Sequence, residues 1–375
     1  VQRVQIEARH NWQQWCEKLG FDFHTIGRAY WNESAYYRFE EYEIDRIDDA
    51  TTELWGMYAN ALEYVLQNNL LARVGIPEKY ADWVKHSWQR ADQSLYGRFD
   101  LAYDGSNLKL LEFNADTPTS LFEASAVQWH WLQDVLGDGF DQFNWIHEAL
   151  EQVFDQIGTG TTNLPRRGLH FACMQDTLED YRTVEYLMDV ALQRDLEPRF
   201  VHIEDIHWNG TRFLDQTGSV IEGIFKLYPY EFLFRDEFGH ALPRDPWAML
   251  EPPWKAIMSS KGLLPILWEN HPNHPLLLPA SFNDHDISSW TVRKPVFSRE
   301  GANVTIRHIG VDTPGKYDEF GHVYQGFFEL PRFDGFYPVL GSWVVGGAAC
   351  GLGIREDTTP VTGDGASFVP HAFRS

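Results

Sequence analysis

Residues 51–67, TTELWGMYANALEYVLQ, place Leu54, Tyr58, Ala61 and Val65 at helical spacing, which predicts a helix with one buried face. A shorter helix is expected over 77–90. The pattern then changes to extended runs at 95–103 and 108–113, separated by Asp104-Gly105-Ser106-Asn107. A polar, glycine-bearing turn between two hydrophobic runs predicts a hairpin. Pro118 follows the second run, and the aromatic segment 121–136 is helical in character.

The polar stretch 158–168, IGTGTTNLPRR, reads as a boundary. A strand is expected at 168–174, then a helix over 178–195 with Tyr181, Val184, Met188 and Ala191 on one face, then a strand from 200 to 203. Strand, helix and strand in alternation belong to an α/β or α+β lobe. From 291 onward TVRKPVF, NVTIRHI, VYQGFFEL and YPVLGSWVVG are β-rich and separated by Gly, Asp and Pro turns. The irregular tail 357–375 carries Phe368 and Phe373 and is expected to dock. The chain thus divides into approximate lobes: 1–165 with the hairpin, a middle α/β lobe at 166–290, and a β-rich lobe at 291–375. No repeat of fixed period is visible.

Composition narrows the function. With 375 residues the chain exceeds a usual single domain. The 31 Lys and Arg against 54 Asp and Glu, a formal charge of -23, argue against a nucleic-acid partner or an anionic membrane surface and leave basic partners such as amines open. Acidity that only keeps the surface soluble is the plainer reading. Cys16, Cys173 and Cys350 are too far apart for a CxxC or zinc pattern, and no disulfide framework is expected. The first residues lack the apolar core of a secretory signal, and no run of 18 apolar residues exists, so a cytoplasmic protein without a membrane span is expected.

Three clusters carry candidate chemistry. In the hairpin, alternation puts Arg98 with Asp100 and Glu112 with Asn114. Two carboxylates and a carboxamide oxygen suit Mg²⁺ beside phosphates, and the arginine suits a moving phosphoryl group. An ordinary solvent-facing strand pair accounts for the same pattern. Thr117 and Thr119 follow where the chain turns, as helix caps or as an oxyanion site. Lys261 precedes an apolar run, and Lys294 lies on a strand leading into Ser298-Arg299-Glu300-Gly301-Ala302-Asn303. Such a loop folds over phosphates while lysine neutralises them, although each lysine alone reads equally as a surface residue. No GxxxxGK[ST] and no GxGxxG in a βαβ setting occurs. In GLGIRED, Arg355 either binds a phosphate or carboxylate, or pairs locally with Glu356 or Asp357. HPNHP at 271–275 reads as a turn rather than a metal site, and no GxSxG elbow is present.

Taken in order, RFD, LEFNADTPTS, the LEDYRT segment, KLYPYE, KGLLPILWENHPNHP, VRKPVFSREGANV, VYQ and GSWVVG…GLGIRED resemble the synthetase portion of the glutathionylspermidine synthase family. The resemblance runs from about residue 10 over nearly the whole chain. It implies an α+β, ATP-grasp-like fold with an additional N-terminal pre-ATP-grasp α/β region. It also implies Asp100, Glu112 and Asn114 as Mg²⁺ ligands and Arg98 as the phosphoryl-stabilising arginine. Lys261 and Lys294 would be nucleotide-phosphate lysines, with Arg299 and Gly301 in the phosphate loop and Gln325 near the adenine. Thr117 and Thr119 would lie where the family's bifunctional enzyme has serines near its thiol-peptide substrate. Glu179 and Asp180 would match a substrate-site acid pair, and Arg355 an arginine for substrate and phosphate.

The implied reaction joins a small-molecule or short-peptide carboxylate to an amine, polyamines included, at the expense of ATP. The N-terminal amidase domain of the bifunctional relatives has no room in 375 residues, so amidase activity is expected to be absent. Two alternatives stand beside the ligase. One is a hydrolase using an acid pair such as Glu112 and Asp116. The other is a nucleotide- or polyamine-binding protein that has kept the fold without the activity. Oligomeric state is not legible.

Overall fold

A computed structural model describes residues 1–286 and 290–374 of the chain. The amphipathic helix expected at 51–67 spans Glu41–Gln67 and begins earlier because its first turn is closed chemically. Glu40 and Glu43 form a capping box, with the Glu43 carboxylate accepting from the Glu40 N–H at 3.0 Å. That carboxylate also accepts from the terminal ammonium of Val1 at 2.7 Å and from the Tyr103 hydroxyl at 2.8 Å. Ile44, Ile47 and Ala50 extend the buried face read at Leu54, Tyr58, Ala61 and Val65.

The hairpin forms as Tyr96–Tyr103 against Leu108–Asn114, antiparallel, with Asp104 Oδ1 accepting from the Ser106 and Asn107 N–H groups to close the turn. It is not free-standing. Its first strand pairs with Tyr337–Val345, which pairs with Ala348–Asp357 and then Ser367–Val369, giving a five-stranded antiparallel sheet. Strands from the first and third stretches of the linear reading therefore share one sheet. Pairing removes the open edge that each hairpin would otherwise expose. The long helix covers this sheet, packing Tyr58 edge-on against Phe99 and Phe113, whose rings stack at 3.9 Å.

A second five-stranded antiparallel sheet runs in the order Ala280–Ser281, His322–Gly326, Thr291–Pro295, Thr305–Ile306, Val311–Asp312. The strand–helix–strand reading of the middle region is met by a four-stranded parallel sheet: Ala248–Leu250, Gly223–Lys226, Arg167–Cys173, Glu197–His202. Helix Leu178–Gln193 buries Val184, Leu187, Val190 and Ala191. The tail docks: His371–Arg374 lies parallel to Ala35–Phe39, and Phe368 stacks on Trp31 at 5.7 Å. Residue 375 and residues 287–289 lie outside the described residues. The three cysteines are free and buried. Among the described residues no helix is long and apolar enough to cross a membrane.

Candidate active site

The two antiparallel five-stranded sheets face one cleft, roofed in part by the loops at 299–301 and 360–362. On its first wall the hairpin register sets Asp100 opposite Glu112 and Arg98 opposite Asn114. Asp100 is the centre of that wall. Its Oδ1 accepts from Arg98 Nε at 2.6 Å, and its Oδ2 from Arg355 Nη2 and Asn114 Nδ2, each at 3.0 Å. Burial alone would raise the Asp100 carboxyl, but the Arg98 and Arg355 guanidiniums outweigh it and hold the group below the ordinary aspartate range. Arg98 also donates to the Thr119 carbonyl at 2.5 Å. Its stem lies over Gly341, where a Cβ would come within 2.6 Å of Arg98 Cδ.

Of the two readings left open for Arg355, the local ion pair is not formed. Glu356 faces the other side of its strand and accepts from Arg3 at 2.8 Å and from Tyr37 at 2.7 Å. Arg355 instead turns into the cleft toward Asp100.

The lysines are buried rather than superficial. Lys294 Nζ donates to the Leu111 carbonyl at 3.0 Å and to Gln325 Oε1 at 2.9 Å, and Gln325 Nε2 donates to the Leu110 carbonyl at 3.0 Å. These bonds tie the second sheet to the first. Burial pulls the Lys294 ammonium down to about 8. Lys261 donates to the Ser298 carbonyl at 2.7 Å and stands 3.4 Å from Glu112 Oε2, at the margin of the cleft. Leu111, Val292, Ile306, Leu330 and Val339 give the cleft an apolar share of its lining.

In the loop, Arg299 is paired with Glu231 at 3.1 Å and donates to the Thr117 hydroxyl. Gly301 has φ +66° and abuts the opposing loop, where a Cβ would fall 2.6 Å from Val361 Cγ1 and 2.7 Å from the Thr362 carbonyl. Only glycine accepts both the torsion and the approach. Neither Thr117 nor Thr119 caps a helix by a side-chain hydrogen bond, and both line the cleft.

Glu179 and Asp180 occupy the first turn of helix Leu178–Gln193 rather than the cleft wall itself. Thr177 donates to Asp180 at 2.9 Å. Burial, with Glu123, Asp180 and Glu300 adding repulsion against the pull of Arg355, pushes Glu179 up to about 8. Asp180 is also raised by burial, against the Thr177 hydrogen bond and the pull of Arg299. Glu123, Glu231 and Glu300 were not singled out from the sequence. Glu300 lay in plain view inside the glycine loop, whereas Glu123 sits in an aromatic helical stretch with no pattern of its own.

The donor set fits a hard divalent cation. Two carboxylates and a carboxamide on facing strand positions are oxygen ligands of the right kind, and a cation would take the place of some of the bonds that Arg98, Arg355 and Asn114 make to Asp100. Among the described residues no group of three or more His, Cys, Asp and Glu could hold a metal unaided. Residues 271–275 form a turn as expected, and His274 is engaged by Glu53 at 3.1 Å.

Two antiparallel sheets thus close on a cleft with buried lysines on one side and an aspartate–arginine cluster on the other. Comparison with known proteins identifies the family to which this arrangement belongs. The family described as glutathionylspermidine synthase preATP-grasp matches residues 3–374. A Haemophilus influenzae protein provisionally named an acid–amine ligase is 42% identical over 378 residues, covering 95% of each chain. Trypanothione synthetase of Crithidia fasciculata is 29% identical over 409 residues, covering 96% of this chain and 61% of its own. The solved structure of a glutathione synthetase-like effector from Globodera pallida shares the fold at a TM-score of 0.55 and 9% identity, over 90% of this chain and 88% of its own. The chain belongs to the glutathionylspermidine synthase family, and by that membership it is an ATP-grasp carbon–nitrogen ligase of the acid–amine type.

Proposed function

We propose that this ligase joins a small-molecule or short-peptide carboxylate to a cationic amine of polyamine type, through an acylphosphate. The observation that carries this reading is the Asp100 cluster, which joins Arg98 and Arg355 at one point, with Glu112 opposite. The acids Glu179 and Asp180 on the first turn of helix Leu178–Gln193 support an ammonium-bearing second substrate.

In this mechanism the adenine enters against the apolar lining beside Gln325, and Lys261 and Lys294 hold the phosphates. The loop with Arg299 and Gly301 folds over them, its backbone N–H groups available to phosphate oxygens. Asp100, Glu112 and Asn114 would hold Mg²⁺, which when bound neutralises phosphate charge. Arg98 offsets charge developing on the transferring phosphoryl group, and positioning with electrostatics supplies most of the rate. Arg355 steers the substrate carboxylate, and Thr117 and Thr119 line its seat. A bare carboxylate resists amines, so its oxygen first attacks the γ-phosphorus; the bond from that phosphorus to the β–γ bridging oxygen breaks, its electrons leave on ADP, and the acylphosphate remains. The amine then attacks the acyl carbon and phosphate leaves.

Isotope transfer tests the mechanism. With the carboxylate oxygens labelled, one labelled oxygen is expected in the released phosphate for each amide formed. Unlabelled phosphate accompanying amide formation would rule out an acylphosphate.

A further inference from the structure

Glu231, in the middle lobe, belongs to a closed ring of contacts that reaches the cleft. Its carboxylate holds one edge of the Arg299 guanidinium, Oε1 accepting from Nε at 3.1 Å and Oε2 from Nη2 at 3.2 Å. The third nitrogen, Nη1, donates to the Thr117 hydroxyl. A two-point grip of this kind fixes the plane of a guanidinium as well as its place. Glu231 is 2% exposed, whereas Arg299 and Thr117 both line the cleft.

The ring closes through Asp116, the residue before Thr117. Asp116 is fully buried and accepts from Lys226 Nζ at 2.6 Å and from the Tyr230 N–H at 2.9 Å. The Lys226 ammonium lies 3.8 Å from the centre of the Tyr230 ring, and the Tyr230 hydroxyl donates to the Glu251 carbonyl at 2.7 Å. The short turn that carries Glu231 is therefore fastened to the end of the hairpin that carries Thr117. On the same segment, Arg98 donates to the Thr119 carbonyl at 2.5 Å. Arg299 and Arg98 thus hold the two ends of Thr117-Pro118-Thr119, which ties Arg299 to the wall of the Asp100 cluster.

We propose that Glu231, braced by Asp116 and Lys226, is a positioning residue that holds Arg299 toward the γ-phosphoryl group of bound ATP. This rests on the reading of the cleft as an ATP site. Three of the five N–H groups of Arg299 are committed to Glu231 and Thr117, and the other two are offered to phosphate oxygens. Buried ion pairs add little stability over apolar side chains of like volume, and here they add direction. Without the Glu231 charge, Arg299 stays in its loop but is free to turn. ADP has no γ-phosphate, so the contact is felt by the triphosphate and not by the diphosphate.

Calorimetric titration with ADP and with the β,γ-imido analogue of ATP, each with Mg²⁺, reads this without either joining substrate. The quantity is the ratio of the two affinities. Glu231→Gln is expected to lower the preference for the triphosphate by about tenfold, the worth of one hydrogen bond to a charged group. Arg299→Ala is expected to lower it at least as far. The double variant is expected to match Arg299→Ala, because Glu231 acts only through that arginine. Glu231→Asp keeps the charge but withdraws it by one methylene, and its ratio is expected to fall between those of the wild type and Glu231→Gln. It also serves if the glutamine variant does not fold.

Equal weakening of both nucleotides in Glu231→Gln would mark a merely structural role and overturn the proposal. An unchanged ratio, or independent losses that add in the double variant, would overturn it too. A wild type that binds neither nucleotide would remove the ATP-site reading itself. A wild type that binds both, with a ratio that Glu231→Gln leaves alone, would remove only the role of Glu231.

Discussion

Lys294 and Gln325 are locked together, the ammonium donating to the carboxamide oxygen at 2.9 Å while each side chain also reaches a backbone carbonyl of the opposite sheet. The lysine is thus a tie between the cleft walls as well as a charge. Lys294→Ala is expected to abolish nucleotide binding and to leave Gln325 Oε1 buried without a donor, at a cost of about 1–3 kcal/mol in stability. Calorimetry with ADP and a thermal unfolding curve measure the two effects separately.

The same lysine gives a pH signature. Its folded-state pKa lies below its ordinary value, at about 8 against 10.5, so above about pH 8 the unfolded chain holds the proton that the folded chain has released. Buried charge therefore weakens the fold below about pH 8, and the penalty fades as pH rises toward the ordinary lysine range. Phosphate binding opposes this by recalling the proton. ADP binding above pH 8 is expected to take up a proton, seen as a buffer-dependent enthalpy, and Lys294→Arg is expected to bind without that uptake.

Asp100 neutralises two buried guanidiniums, and its loss is therefore structural as well as functional. Asp100→Asn is expected to cost about 3–5 kcal/mol through uncompensated charge and to remove the magnesium dependence of ADP binding. A denaturant midpoint close to that of the wild type would show that the cluster is not the tie described.

Gly301→Ala places a methyl group against Val361 and the Thr362 carbonyl at a left-handed torsion. The two loops must separate, so KM for ATP is expected to rise about tenfold or more with a small change in melting temperature. An unchanged KM would mean that the loops do not close together over nucleotide.

Asp180→Ala should act on the other half of the reaction. It is expected to raise KM for the amine and leave ADP affinity intact, whereas equal loss of ADP affinity in Asp180→Ala and Lys294→Ala would argue against the division of the site.

What the sequence revealed was local. Alternation in YGRFD and LEFNAD placed Arg98, Asp100, Glu112 and Asn114 on one wall because side-chain direction in a strand has a period of two. The glycine of SREGAN announced a loop that only glycine could make. Pairing across long sequence separations left no such trace. Nothing within 96–114 specifies Tyr337–Val345 as its neighbour, and nothing beside Arg355 indicates Asp100 rather than Glu356 as its partner. The start of helix Glu41–Gln67 has no local signature because its capping acid, Glu43, draws on Val1 and Tyr103, both remote in sequence. Glu231 was silent for the same reason, since its partner Arg299 and the brace at Asp116 are equally remote.

In the proposed reaction ATP cleavage is coupled to joining a carboxylate and an amine. The most direct measurement is ADP release from Mg-ATP across a matrix of small peptides, glutathione among them, and amines including spermidine, with Lys294→Ala as the control. Turnover is expected only where a carboxylate and an amine are present together, and is expected to be lost in the control. ADP release that ignores both partners, or a protein that binds no nucleotide, would contradict it.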